Sequence, residues 1–194
     1  MKIYNDIVFA KTDDGDEEAI ISDAYKGDFD VNNDAGDKEF ALMFSVSGRV
    51  VYYDAAEGET ISPAAYNDKE AEAKEDCSMT YDIVHAYSLE ELELSAVGYN
   101  KLVKKYMKNC IKLLEKGPMK KALKTHAAKF AKKDAEGYFY HYVKANASDI
   151  TFYARRGTEE AALSGDAMIV VGDMSDWEAP VFHYFGPALF GKSV

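Results

Sequence analysis

Cysteine is scarce in this sequence: Cys77 and Cys110 are the only two, thirty-three positions apart in segments of different character. That excludes a disulfide framework and a C-x-x-C redox or zinc pair, and both are expected to be free thiols. No apolar run reaches the roughly 20 residues of a membrane-spanning helix. Met1 to Asp6 shows neither the basic leader nor the apolar stretch of a secretory signal, and no lipidation box closes the chain, so residence in the cytosol is the expectation. Catalytic signatures are missing too: there is no G-x-S-x-G, phosphate loop or H-E-x-x-H. His85, His126, His141 and His183 have no metal-ligand spacing. Positive charge is in deficit, with 23 basic against 34 acidic residues and a net charge of -11. A molecule of that sign repels nucleic acid and anionic membranes. What is present is 47% apolar and 13% aromatic residues in 194 positions, enough to bury one core and to exclude wholesale disorder.

The net charge hides an uneven distribution. Residues 1–94 carry 24 acids and 7 bases, residues 95–145 carry 3 and 13, and residues 146–194 carry 7 and 3. A basic module is embedded in an acidic body. Within it Val97, Tyr99, Leu102, Val103, Tyr106, Cys110, Ile111 and Leu114 recur at three- and four-residue steps, with Lys101, Lys104, Lys105, Lys108 and Lys112 on the remaining face. The spacing predicts an amphipathic helix with Ser95 as N-cap. Gly117-Pro118 stops it. A second periodic run follows, with Met119, Leu123, His126 and Phe130 on one side and Lys120, Lys121 and Lys124 elsewhere. Two antiparallel helices over residues 95–136 are expected.

Elsewhere short β-branched and aromatic runs alternate with turn residues and predict strands at 2–8, 40–46, 49–53, 81–85, 138–143, 150–153, 167–172 and 180–184. Ser47-Gly48 reads as a tight hairpin. Trp177 reads as an anchor in a later hairpin loop, and Gly186 to Gly191 as a turn-like tail. Residues 55–76, rich in Ala, Glu, Asp and Lys, read as a flexible acidic loop. No repeat is visible. The class is α+β: one domain over residues 1–194, mostly antiparallel sheets with a projecting helical hairpin.

Particular residues carry a resemblance. Met1-Lys2-Ile3-Tyr4-x-Asp6-Ile7, Glu17-Glu18-x-Ile20-Ile21-Ser22-Asp23-x-Tyr25-Lys26 and, above all, Tyr99-x-Lys101-x-Val103-Lys104-Lys105-Tyr106-Met107-Lys108-x-x-Ile111-x-x-Leu114-Glu115 resemble the translationally controlled tumor protein (TCTP) family. Asp82-Ile83-Val84 before the helix and Ala167 to Val171, Pro180 and Phe185 after it fall in that family's order. Two signatures depart from it: the acidic loop signature is reduced to Ala64-Ala65-Tyr66-Asn67-Asp68, and an expected Gly-Glu reads Arg155-Arg156. The resemblance implies a β-tent fold and a cytoplasmic, non-enzymatic adaptor in growth and translation control. It also implies calcium binding and partners among small GTPases, translation elongation factors and microtubules.

The candidate sites follow, each beside a plainer reading. Glu17 or Glu18 stands where the resemblance places a glutamate presented to a GTPase; the plainer reading is a charged turn, Asp13 to Glu18. Lys101, Lys104, Lys105, Lys108, Lys112, Lys120, Lys121 and Lys124 make a basic prong for an acidic partner, or a solvated face; the near absence of interspersed acids favours a use beyond solvation. Asp28, Asp30, Asn32, Asp34 and Glu39 match oxygen-ligand positions of a calcium-binding hand, with Asn33 in the glycine position. A strand-like run from Phe40 makes a solvated acidic insertion the competing reading. A rival of another class is a β-tent enzyme of methionine sulfoxide reductase type using Cys77 or Cys110. Cys110 lies on the apolar face of its helix, and Glu75 and Asp76 repel a thiolate at Cys77. A calcium-buffering protein is the third possibility.

Overall fold

β-Branched and aromatic runs pair into three antiparallel sheets in the computed structural model, which describes residues 2–6, 21–22, 27–29, 43–116, 140–185 and 189–193. A small sheet joins β1 (Lys2–Asp6), β2 (Ile21–Ser22) and β12 (Leu189–Ser193) in the order β12-β1-β2. The largest has six strands: β3 (Gly27–Phe29), β4 (Met43–Ser47), β8 (Leu89–Leu92), β9 (Ile150–Arg155), β10 (Val170–Asp173) and β11 (Val181–Phe185), in the order β3-β4-β11-β10-β9-β8. A third combines β5 (Val50–Asp54), β6 (Glu59–Ile61) and β7 (Cys77–Tyr81) in the order β6-β5-β7. The helices are α1 (Pro63–Asn67), α2 (Ala71–Lys74), α3 (Asp82–Ala86), α4 (Ala96–Lys116), α5 (residues 140–145) and α6 (Glu159–Ser164). The α+β class, with antiparallel sheets, is as expected.

Opposed residues of antiparallel strands share a face. One row across the large sheet therefore holds Leu92, Phe152, Val171, His183 and Ser45. α4 covers it at Phe152, on which Tyr99 stacks with centroids 4.9 Å apart, and α5 reaches it at His183 through Tyr142. Val170, Val171, Phe182 and Tyr184 are fully buried in the same core.

Several expectations are corrected. Ser47-Gly48 is a passage between sheets and not a hairpin: β4 pairs with β3 and β11, whereas β5 pairs with β6 and β7. The Gly48 amide donates to the Pro180 carbonyl at 2.8 Å, and a Cβ at Gly48 would stand 2.7 Å from the Phe182 ring. Only glycine lets the backbone come this close. The strand expected at 81–85 ends at Tyr81 and continues as α3. Asp82 favours this as the first residue of α3, where a carboxylate suits the helix N-terminus, and its oxygens accept from the amides of Arg49 and Ile83 at 2.9 and 2.8 Å. Residues 140–145 are helical although a strand was expected at 138–143. Burial of Val143 and closure of the turn by Asn146, whose amide and side chain both donate to the Tyr142 carbonyl, override β-propensity.

The stretch 55–76 holds β6, α1 and α2. Ser62 caps α1, accepting from the Ala65 amide at 3.2 Å with Pro63 in the first turn. Tyr66 stacks flat on Tyr52 at 3.8 Å. Trp177 lies between β10 and β11, a true hairpin, and is 55% exposed rather than a buried anchor. The expected tail contributes β12 from Leu189.

Candidate partner-docking face

α4 positions the basic face. Ser95 caps it as expected: its Oγ accepts from the Gly98 amide at 3.1 Å and its carbonyl from the Tyr99 amide at 2.8 Å. Tyr99, Val103, Tyr106, Met107 and Cys110 are buried on one side. Burial holds the Tyr99 phenol well above its ordinary range, and Tyr106 meets the Phe185 ring edge-on at 6.0 Å. At 100° per residue Lys101, Lys104, Lys105, Lys108 and Lys112 fall within an arc of about 100° opposite that side, along about 16 Å of axis. All five are exposed.

Lys105 is not a free member of the stripe. Its Nζ donates to the Ser164 carbonyl and to Asp166 Oδ2, the latter at 3.2 Å. One turn on, Asn109 Nδ2 donates to Asp166 Oδ1 at 2.7 Å and to the Gly165 carbonyl at 3.1 Å. The Ser164 hydroxyl, then Lys105 and Asn109, hold the Asp166 carboxyl below its usual range against its partial burial. Gly165 closes α6 with φ +76° and lies so near α4 that a Cβ would meet the Leu102 carbonyl oxygen at 3.2 Å. This α4–α6 tether was missed. Thr158 before two glutamates and Gly165 seven positions later were its readable signal.

The remaining predicted residues are only partly located. Glu17, Glu18, Lys120, Lys121 and Lys124 lie outside the described residues, as does the second helix of the expected hairpin. Asp28 sits in β3, its backbone paired with Ser45; Asp30, Asn32, Asp34 and Glu39 lie outside the described residues. Among the described residues no three His, Cys, Asp or Glu side chains converge as a metal would require. Cys110 is buried, and Cys77 is half-buried with its sulfur 3.5 Å from the Ala73 carbonyl.

A partly buried polar chain also went unread. Tyr142 donates its hydroxyl proton to Asp173 Oδ2, and His183 Nε2 lies 2.9 Å from the same hydroxyl oxygen. With that proton committed, His183 Nε2 is the donor to Tyr142, which leaves Nδ1 to accept from Ser45 Oγ at 2.8 Å. Burial works against ionised Asp173, but the Tyr142 hydroxyl and the Ser175 amide outweigh it and hold the carboxyl below its usual range. The chain pins α5 to β4, β10 and β11.

Comparison with known proteins agrees with this architecture. The p23fyp translationally controlled tumor-associated protein of Schizosaccharomyces pombe superposes with TM-score 0.63 at 18% identity over 100% of both chains. The TCTP of Caenorhabditis elegans gives 0.59 at 20% identity over 100% of this chain and 99% of its own. At such identities these likenesses speak for the fold. No curated protein matches the chain. The family model of the translationally controlled tumour protein matches residues 1–190, and the chain therefore belongs to the translationally controlled tumour protein family.

Proposed function

We propose that this member of the family is a non-enzymatic regulatory protein of the cytoplasm that works by docking. The observation that carries the reading is the α4 stripe: Lys101, Lys104, Lys108 and Lys112 face outward, directly opposite a buried side that fixes the helix's orientation. Such a stripe steers and orients an acidic partner. Acidic tubulin tails suit it, and the proposed partners include a small GTPase and a translation elongation factor, with Glu17 or Glu18 meeting the GTPase. Calcium binding by Asp28, Asp30, Asn32, Asp34 and Glu39 is part of the proposal. Among the described residues no helix is long and apolar enough to cross a membrane. The reductase alternative needs an accessible thiolate, and Cys110 is 0% exposed while Cys77 follows Glu75 and Asp76.

The test is co-sedimentation with microtubules before and after proteolytic removal of the acidic tails. The triple variant Lys101→Glu, Lys104→Glu, Lys108→Glu should lose binding at least tenfold, about 1.4 kcal/mol, and the wild type should weaken between about 50 and 200 mM salt. Tail-independent, salt-insensitive sedimentation refutes electrostatic docking. Pulldown of nucleotide-free GTPases by Glu17→Lys and Glu18→Lys variants tests the acidic contact, and calcium calorimetry on an Asp30→Ala, Glu39→Ala variant tests the loop.

A further inference from the structure

The three sheets have six edges among the described residues, and five carry a device that discourages strand addition. β2 has two residues; β3 has three with Asp28 in the middle. β6 has three, begins with Glu59, and runs into Pro63. β8 carries Glu90 and Glu91, and β12 carries Lys192. Shortness, charge and proline are the usual protections of an exposed edge. β7 has none of them: it is five residues long, Cys77-Ser78-Met79-Thr80-Tyr81, uncharged and without proline, and among the described residues it pairs on one side only, with β5.

Its surroundings suit an apolar side chain. Met79 is 52% exposed and lies opposite Tyr52, which Tyr66 extends by stacking into an aromatic ledge. The charge around it selects the occupant. Residues 54–76 hold eight acids against two lysines. Lys69 is spent on Asp54 at 2.6 Å, and Lys74 donates to the Asn67 carbonyl at 3.0 Å beside the Tyr66 ring. Glu75 and Asp76, both exposed, adjoin the start of β7. A second copy is disfavoured: two-fold pairing centred on Met79 would set Asp76 against Asp82 of the other copy and bring two acidic lobes together.

We infer that the outer edge of β7 is a strand-addition site for an extended peptide with an uncharged, β-forming centre and Lys or Arg at the end that meets Glu75 and Asp76. Backbone hydrogen bonds supply affinity, the Met79 ledge takes an apolar side chain, and the acids set polarity. The site is separate from the α4 stripe.

The test titrates the full, isotope-labelled chain with a probe peptide of alternating threonine and valine ending in paired arginines, followed by amide shifts. Two control peptides carry N-methyl groups on alternate backbone nitrogens or glutamates in place of the arginines. Shifts centred on residues 77–81 are expected, with affinity falling at least about tenfold for each control. Met79→Lys, a surface change that leaves the fold intact, should weaken the parent peptide similarly, while Lys101→Glu, Lys104→Glu, Lys108→Glu should not weaken it. No binding of the parent peptide, undiminished binding of the N-methylated one, or shifts centred elsewhere overturns the assignment. So does self-association of the chain that Met79→Lys abolishes, which would make a second copy the occupant.

Discussion

Asp54 shows how one side chain organises an acidic segment. It is 1% exposed at the end of β5, its Oδ1 receives the amides of Ala56 and Glu57, and Lys69 closes on Oδ2. Lys69 first, then the two amides, hold its carboxyl below the ordinary value although burial opposes them. A depressed carboxylate stabilises the fold above its unfolded pKa, about 3.9, and loses that contribution as pH falls through the lower folded value. Asp54→Asn should therefore lower the melting temperature at pH 7 by more than it does near pH 3, as melts at the two pH values will read. The Ser45–His183–Tyr142–Asp173 hydrogen-bond chain makes a second prediction at this scale. Tyr142→Phe removes the donor to Asp173 and the acceptor of His183, and should cost about 1–3 kcal/mol in urea unfolding. The imidazole nitrogen shifts of His183 should move away from a pure Nε2–H tautomer. The chain could not be found by reading along the sequence, because Ser45, Asp173 and His183 stand on strands distant in sequence and Tyr142 reaches them from α5.

The elements divide into those whose period is local and those settled by tertiary contacts. α4 was legible over most of its length, from its cap at Ser95 to its basic face, because a 3.6-residue repeat fixes both faces at once; Val97, expected on the apolar side, is 63% exposed, and buried Met107 was not placed there. Truncation should follow that division. Met107→Ala is expected to cost about 2–5 kcal/mol, Lys101→Ala less than about 0.5, as chemical denaturation of the two variants will show. The Lys105 tether was not legible, since its acceptors at Ser164 and Asp166 lie about sixty positions away. α5 defeated its own aromatic and β-branched composition, and Ser47-Gly48 carried a turn signal that the fold uses to change sheets. Gly48→Ala checks that use. Its methyl would collide with Phe182, so a loss of about 1–3 kcal/mol is expected in the same assay, where an ordinary exposed turn would tolerate alanine.

Across the whole molecule, charge rather than shape was the more readable property. The contrast between an acidic body and a basic helix came from counting, and it survives in three dimensions because the lysines of α4 point away from the sheet that carries the core. The α+β class and the family were readable too, the latter through the helix motif. The division of the strands into three sheets was not, because strand order depends on pairings such as β4 with β11 that cross more than a hundred residues.

The passage at Gly48 has a mechanical consequence. The small acidic leaf β6-β5-β7 is riveted to the large sheet at the Gly48–Pro180 hydrogen bond and the Tyr81–Phe182 edge contact. A leaf held along one seam can swing as a unit before the core loosens. Amides of β5 and β7 should then exchange with solvent in concert and earlier than those of β10 and β11, and Tyr81→Ala, by drawing one rivet, should widen the gap between the two rates.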